Sequence, residues 1–203
     1  MESWRPVEAL LLILLVAAVA VAVVLYRRYT AAQAGNRPSA PAVPRDPLRT
    51  ESVRSDPRRI TVGDVIRFDG RDFIVRGTIR FDQDGSQWQE HFLDDVEVKR
   101  WLSVEDDEGL EIGFWTALKG ADLQPGPKTL EHGGKAYELD EKGSARFTAV
   151  GTTGTGPSGR VEYYDYEAGD DLLSFERYGE GDWEAATGRT VGEYELDIYP
   201  GSE

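Results

Sequence analysis

The sequence predicts an all-β protein: two related antiparallel β units, each a sandwich or a small barrel, behind one N-terminal transmembrane helix. Three observations predict it. After residue 59 the chain runs in short alternating apolar and polar stretches, broken by glycine turns every ~8–12 residues, a spacing typical of sandwiches and barrels. Motifs from the first half of this body return in the same order in the second half. Ahead of the body, residues 9–25 read ALLLILLVAAVAVAVVL without a single charge.

At a rise of ~1.5 Å per residue, that run and its apolar neighbours just span a hydrocarbon core of ~30 Å. A backbone in such a core must satisfy its own hydrogen bonds, so the segment is expected to be helical, with Trp4 and Tyr26 as interfacial anchors. A cleaved export signal ending at AQA (32–34) is the competing reading, and Arg27 and Arg28 stand against it. The cations flanking the run are Arg5 before it and Arg27, Arg28, Arg37 and Arg45 after it. This asymmetry predicts a single-pass protein of the cell (inner) membrane with its C-terminal domain in the cytoplasm. The division expected is an anchor at 1–28, a disordered linker at 29–59 and a β domain at 60–198. The linker holds Pro38, Pro41, Pro44, Pro47 and Pro57 and almost no large apolar residue, so it has little surface to bury against its ordering entropy. It is either a tether attracted to anionic lipid by its arginines or a plain spacer.

Within the body, Asp69-Gly70 between ITVGDVIRF and RDFIVRGTIRF is a two-residue hairpin turn. DQDGS (82–86) makes the next turn; QWQEHFL, VEVKRWLSVE and LEIGFWTAL continue as strands. LQPGP (123–127) interrupts the pattern, after which GGKAYELDEKGSARFTAV, GRVEYYDYEA, DLLSFERYG and GEYELDIY add more strands. FDGRDFIV resembles HGGKAYEL, WQEHFL resembles VEYYDY, and RWLSVED resembles DLLSFER. The paired glycines Gly70 and Gly134 lie 64 positions apart and the paired serines Ser103 and Ser174 lie 71 apart, which gives units at about 60–118 and 128–198.

Alternation in these strands puts Leu102 and Val104 on one face and Trp101, Ser103 and Glu105 on the other; the copy puts Leu173 and Phe175 opposite Ser174 and Glu176. Two readings of the second face stand side by side. Glu105 and Glu176 pair with arginines on neighbouring strands, Arg80, Arg100 and Arg177 being candidates. Alternatively, Glu105, Glu176, Ser103, Ser174 and Trp101 line a cleft shared by the two units and bind a cation.

Charge narrows the function classes. The net charge of −14 divides into +4 over residues 1–59 and −18 over residues 60–203, so the body repels nucleic-acid phosphates and suits basic partners or cationic ligands. There is no cysteine, and the two histidines, His91 and His132, lack metal-ligand spacing, so neither a zinc centre nor a bound cofactor is expected. Gly154, Gly156 and Gly159 fit a dinucleotide fingerprint only in spacing, because a strand rather than a helix follows. The acidic stretches at 82–85 and 105–111 lack the ligand order of a calcium loop. Trp88, Trp101 and Trp115 fit core packing or a stacking wall.

VGDVIRFDGRDFIVRGTIRF, then Trp88, Glu90 and Leu93 as W-x-E-x-x-L, then WLSVE and GGKAYEL, resemble the bacterial domain of unknown function 4178 family over residues 60–195. That family carries no established activity, so the resemblance implies no catalytic residue. It implies bacterial origin, frequent membrane association and the company of envelope or stress-related membrane proteins. The function expected is a membrane-anchored, non-enzymatic binding or adaptor module with a membrane-associated protein partner. The alternatives are an acidic domain binding cations or polyamines, and an enzyme of unknown class.

Overall fold

The computed structural model describes residues 56–107, 109–120 and 122–201. The anchor expected at 9–25 and nearly all of the linker lie outside these residues. Among the described residues no helix is long and apolar enough to cross a membrane.

Eleven strands form one antiparallel sheet: β1 (Val65–Phe68), β2 (Arg71–Gln83), β3 (Ser86–Asp94), β4 (Lys99–Asp106), β5 (Leu110–Leu118), β6 (Thr129–His132), β7 (Lys135–Gly151), β8 (Ser158–Ala168), β9 (Asp171–Tyr178), β10 (Glu184–Thr190) and β11 (Asp197–Tyr199). Their order is β11-β1-β2-β3-β4-β5-β10-β9-β8-β7-β6, and β2 also pairs with β7. That last pairing closes β2-β3-β4-β5-β10-β9-β8-β7 into an eight-stranded barrel, which leaves none of the eight with an open edge along the closure.

This corrects the expectation of a sandwich or two small barrels. Neither unit closes on itself. The four barrel strands of the first unit end in free edges at β2 and β5, and the second unit supplies β7 and β10 to meet them. The two units therefore share one barrel, with β2, β3, β4 and β5 taking the places that β7, β8, β9 and β10 take on the other side.

The hairpins that open each unit explain how one strand serves two layers. Asp69 and Gly70 both have positive φ (48° and 74°), as do Gly133 and Gly134 (58° and 78°), the geometry of a tight hairpin turn. After each turn a long strand begins outside the ring. Residues 71–74 of β2 pair with β1, and residues 77–82 pair with β7. Between them the register against β3 slips between Val75 and Gly77, and the same slip occurs in β7 between Leu139 and Glu141. One extra residue reverses the faces. Phe73 and Val75 thus join a core outside the barrel, with Leu102, Val104 and Ile112, while Ile79 and Phe81 of the same strand join a core inside it with Phe147 and Val161. A third core, Tyr137, Tyr166, Leu173 and Phe175, lies under the second hairpin. Each hairpin is a flap that covers the outer apolar face of its own unit.

The linker boundary also moves. Pro57–Arg59 forms a short 3-10 turn with Pro57 buried, and Arg58 makes two bonds to Asp106 at the end of β4 (2.7 and 3.1 Å). Residues 56–59 already belong to the folded body.

Candidate functional site

Closing eight strands leaves a lumen, a cavity of about 650 Å3. That size falls within the usual range for small-ligand sites, ~300–1,000 Å3. Alternation decides what faces it. On β4 the inward residues are Trp101, Ser103 and Glu105; on β9 they are Leu172, Ser174 and Glu176. All five residues that the repeated motif singles out, Trp101, Ser103, Glu105, Ser174 and Glu176, line this one cavity.

The neighbouring strands add residues that the motif did not name. Against β4, β3 sets Glu90 opposite Ser103 and Trp88 opposite Glu105. Against β9, β8 sets Asp165 opposite Ser174 and Tyr163 opposite Glu176. The same quartet (carboxylate, serine, aromatic, glutamate) therefore occurs once in each half. The likeness of WQEHFL to VEYYDY matched Glu90 with Tyr163; the register matches it with Asp165, two residues further along. The signal available in the sequence was the parity of these residues against the repeated serine, once the strands are paired in register.

Among the described residues that line the lumen, ten are Asp or Glu and none is Lys, Arg or His. Among the described residues no arginine is paired with Glu105 or Glu176. Arg177 turns outward to Glu162 (2.7 Å) and over the Trp183 ring (4.7 Å), and Arg100 donates to the Lys99 carbonyl (2.8 Å). Instead, the carboxyls meet hydroxyls and one another. The Tyr178 hydroxyl donates to Glu176 Oε2 (2.9 Å). The Tyr163 hydroxyl lies 2.7 Å from Glu141 Oε1 and 2.9 Å from Gln83 Oε1. Glu90 reaches across the lumen to hydrogen-bond the Glu176 carboxyl.

Two carboxyls can bond only if one holds a proton, and enclosure favours the neutral form. Burial holds the Glu90 carboxyl well above the usual range, with the charges of Glu176 and Asp165 adding to it. Burial pushes Glu176 up to about 7, against the opposing pull of the Tyr178 hydroxyl. It also pushes Asp165 up to about 7, where the Ser174 hydroxyl opposes the shift and Glu141, Asp140 and Glu105 reinforce it. Glu105 is raised by burial, then by Glu111, Glu141 and Asp107.

The aromatic wall is set by close backbone approach. Trp115 Nε1 donates to Ser103 Oγ (2.9 Å). A Cβ on Gly113 would lie 2.5 Å from that nitrogen, and one on Gly188 would lie 2.6 Å from the other side of the ring, so the two glycines hold the slot for the indole. Trp88 stacks on Phe81 (4.9 Å between centroids, 10° between planes). The three tryptophans are thus wall and core at once.

Other candidates fall elsewhere. The glycine-rich loop at 151–160 joins β7 to β8 with no helix behind it, though Thr153 and Thr155 reach the lumen rim. The acidic stretch at 82–85 is the β2–β3 turn. His91 faces away from the lumen, fully buried beside Thr78 (3.0 Å), and burial pushes its imidazole down to about 4, so it stays neutral. Among the described residues, no three His, Cys, Asp or Glu side chains converge closely enough to hold a metal ion.

Comparison with known proteins gives relatives and a family. The family described as Domain of unknown function (DUF4178) matches residues 61–193. An uncharacterized protein of Mycobacterium bovis and uncharacterized proteins of two Mycobacterium tuberculosis strains are each 35% identical to the chain, covering 94% of it and 96% of their own length. No solved structure matches. The motifs that run through both hairpins and both Ser-Glu strands, together with this match across most of the body, place the chain in the bacterial DUF4178 family, to which it belongs.

Proposed function

We propose that the barrel is a binding module that takes a small organic cation into its lumen. The observation that supports this best is the set of ten carboxylic side chains around one cavity without any basic side chain among them. Four of them, Glu90, Glu105, Asp165 and Glu176, are half-buried, where a carboxylate without a counter-charge is costly, and protonation lowers that cost. A cation entering the lumen displaces those protons and supplies the missing charge. Trp88, Trp101 and Tyr163 offer ring faces to the same guest. This reading places the runner-up from the sequence ahead of a surface adaptor.

The reading is non-enzymatic. Glycoside hydrolysis needs two carboxyl groups ~5–9.5 Å apart with substrate or water between them, whereas Glu90 and Glu176 are bonded to each other. The arginine-flanked apolar run at 9–25 supports a membrane tether with the barrel on the cytoplasmic side; sedimentation of the full chain with membranes, resistant to high salt and alkaline wash, is the outcome this part requires.

Melting of the full chain in neutral detergent tests the binding reading. Millimolar organic cations are expected to raise the melting temperature, by more at pH 8 than at pH 6. The sign follows from Asp165 and Glu176, which hold protons up to about 7 and must release them to the cation. Citrate and glucose at the same concentration are expected to leave it unchanged. Stabilisation by citrate, or by no cation at either pH, would contradict the proposal.

A further inference from the structure

We infer that the guest of the lumen is a linear polyamine, held extended with successive ammonium groups against successive carboxyl pairs; this rests on the cation-binding reading above. Glu105 faces Glu111 across β4 and β5, Glu141 faces Asp165 across β7 and β8, and Glu176 faces Glu184 across β9 and β10. All six residues line the lumen. Like charges directly opposite on adjacent strands repel, and sheets ordinarily avoid them. Here the arrangement occurs three times around one cavity. Each pair sets a half-buried carboxyl (Glu105, Asp165, Glu176) against an exposed one (Glu111, Glu141, Glu184), with no basic neighbour among the described lining residues, so each offers a cation an acidic seat at the lumen wall.

The pairs are distributed and not gathered at one point. Glu105 senses Glu111 and Glu141; Asp165 senses Glu141 and Glu105; Glu176 senses Asp165 and Glu184. The three pairs belong to three different strand interfaces, β4–β5, β7–β8 and β9–β10, so they are spread around the lumen wall. A metal ion needs its ligands at one centre, and no such centre occurs among the described residues. A compact quaternary ammonium would satisfy one pair and leave the others. A chain of ammonium groups separated by methylenes matches several separated pairs, and Trp88, Trp101 and Tyr178 in the same lining give its methylenes apolar surface. Glu90, half-buried, lines the same cavity and bonds there to another carboxyl, that of Glu176.

Calorimetric titration of the full chain in neutral detergent, at pH 8 and physiological salt, tests the inference with spermidine, tetraethylammonium and magnesium as separate titrants. Spermidine is expected to bind at one site roughly tenfold or more tighter than tetraethylammonium. Glu90→Gln and Glu105→Gln, on neighbouring strands of the lining, are each expected to weaken it about tenfold, while Asp84→Asn in the exposed β2–β3 turn leaves it unchanged. Equal or tighter binding of tetraethylammonium would overturn the linear polyamine and leave the cation reading standing. Magnesium binding as tight as spermidine, or spermidine binding that ignores both glutamine variants, would overturn it as surface charge attraction. Failure of both organic cations to bind would remove the cation reading as well.

Discussion

Asp165→Asn is expected to stabilise the ligand-free chain at pH 8 by on the order of 2–4 kcal/mol and to change it little at pH 4. Burial holds the Asp165 proton up to about 7, against an ordinary value of 3.8. Between those values the folded chain keeps a proton that the unfolded chain has released. Stability therefore falls as pH rises through that window and levels off above it. A shift of about three units corresponds to ~4 kcal/mol at most, and water reaching the lumen reduces it. Asparagine has nearly the same shape, carries no charge, and its oxygen still accepts from the Ser174 hydroxyl. Urea denaturation at pH 4, 6 and 8 measures the effect. A variant less stable than the parent at pH 8, or one whose pH profile runs parallel to the parent's, would show that Asp165 has its counter-charge already. The same substitution is expected to weaken organic cations, so stability and binding should move in opposite directions.

Gly77→Ala is expected to cost ~3 kcal/mol or more, because it acts on the seam that closes the barrel. Gly77 lies directly opposite Gly151 in the β2–β7 pairing. A Cβ on Gly77 would stand 2.3 Å from the Thr152 carbonyl oxygen and 2.6 Å from its carbon. These are backbone atoms, so no side-chain rotation relieves the contact. Relief requires β2 and β7 to separate, which would strain the bond from the Thr152 N–H to the Arg76 carbonyl (2.8 Å). Gly109 meets nothing within 4 Å, and Gly109→Ala is the control, expected to be close to neutral. Near-equal denaturation midpoints for the two variants would mean that the seam is looser than described.

Most strands were legible, because alternation and turn chemistry are local; β10 was not among those expected, and GEYELDIY holds a 3-10 turn at Glu193–Glu195 before the short β11. The Asp69-Gly70 turn, the β3, β4 and β5 runs and the break at 123–127 stand where the sequence places them. Barrel closure was not legible. It depends on β2 meeting β7 and β5 meeting β10, pairs far apart in the chain whose edges carry no local mark. The register slips at Val75/Gly77 and Leu139/Glu141 were also hidden, since Phe73, Val75, Ile79 and Phe81 keep one parity in the sequence while changing layers in the fold. For the lumen, the repeated Ser-Glu motif pointed to Ser103, Glu105, Ser174 and Glu176. Glu90 and Asp165 required the pairing of β3 with β4 and of β8 with β9, which motif spacing alone misaligned by two residues.

A cation that enters the lumen has to displace the protons held there by Asp165 and Glu176. The most direct measurement is a carboxyl-carbon NMR titration of Asp165 and Glu176 in the full chain, with and without spermidine. The account predicts that both titrate near 7 in the free chain and move toward the ordinary carboxylate range when spermidine is added. Midpoints near 4 in the free chain, or midpoints near 7 that spermidine leaves in place, would contradict it.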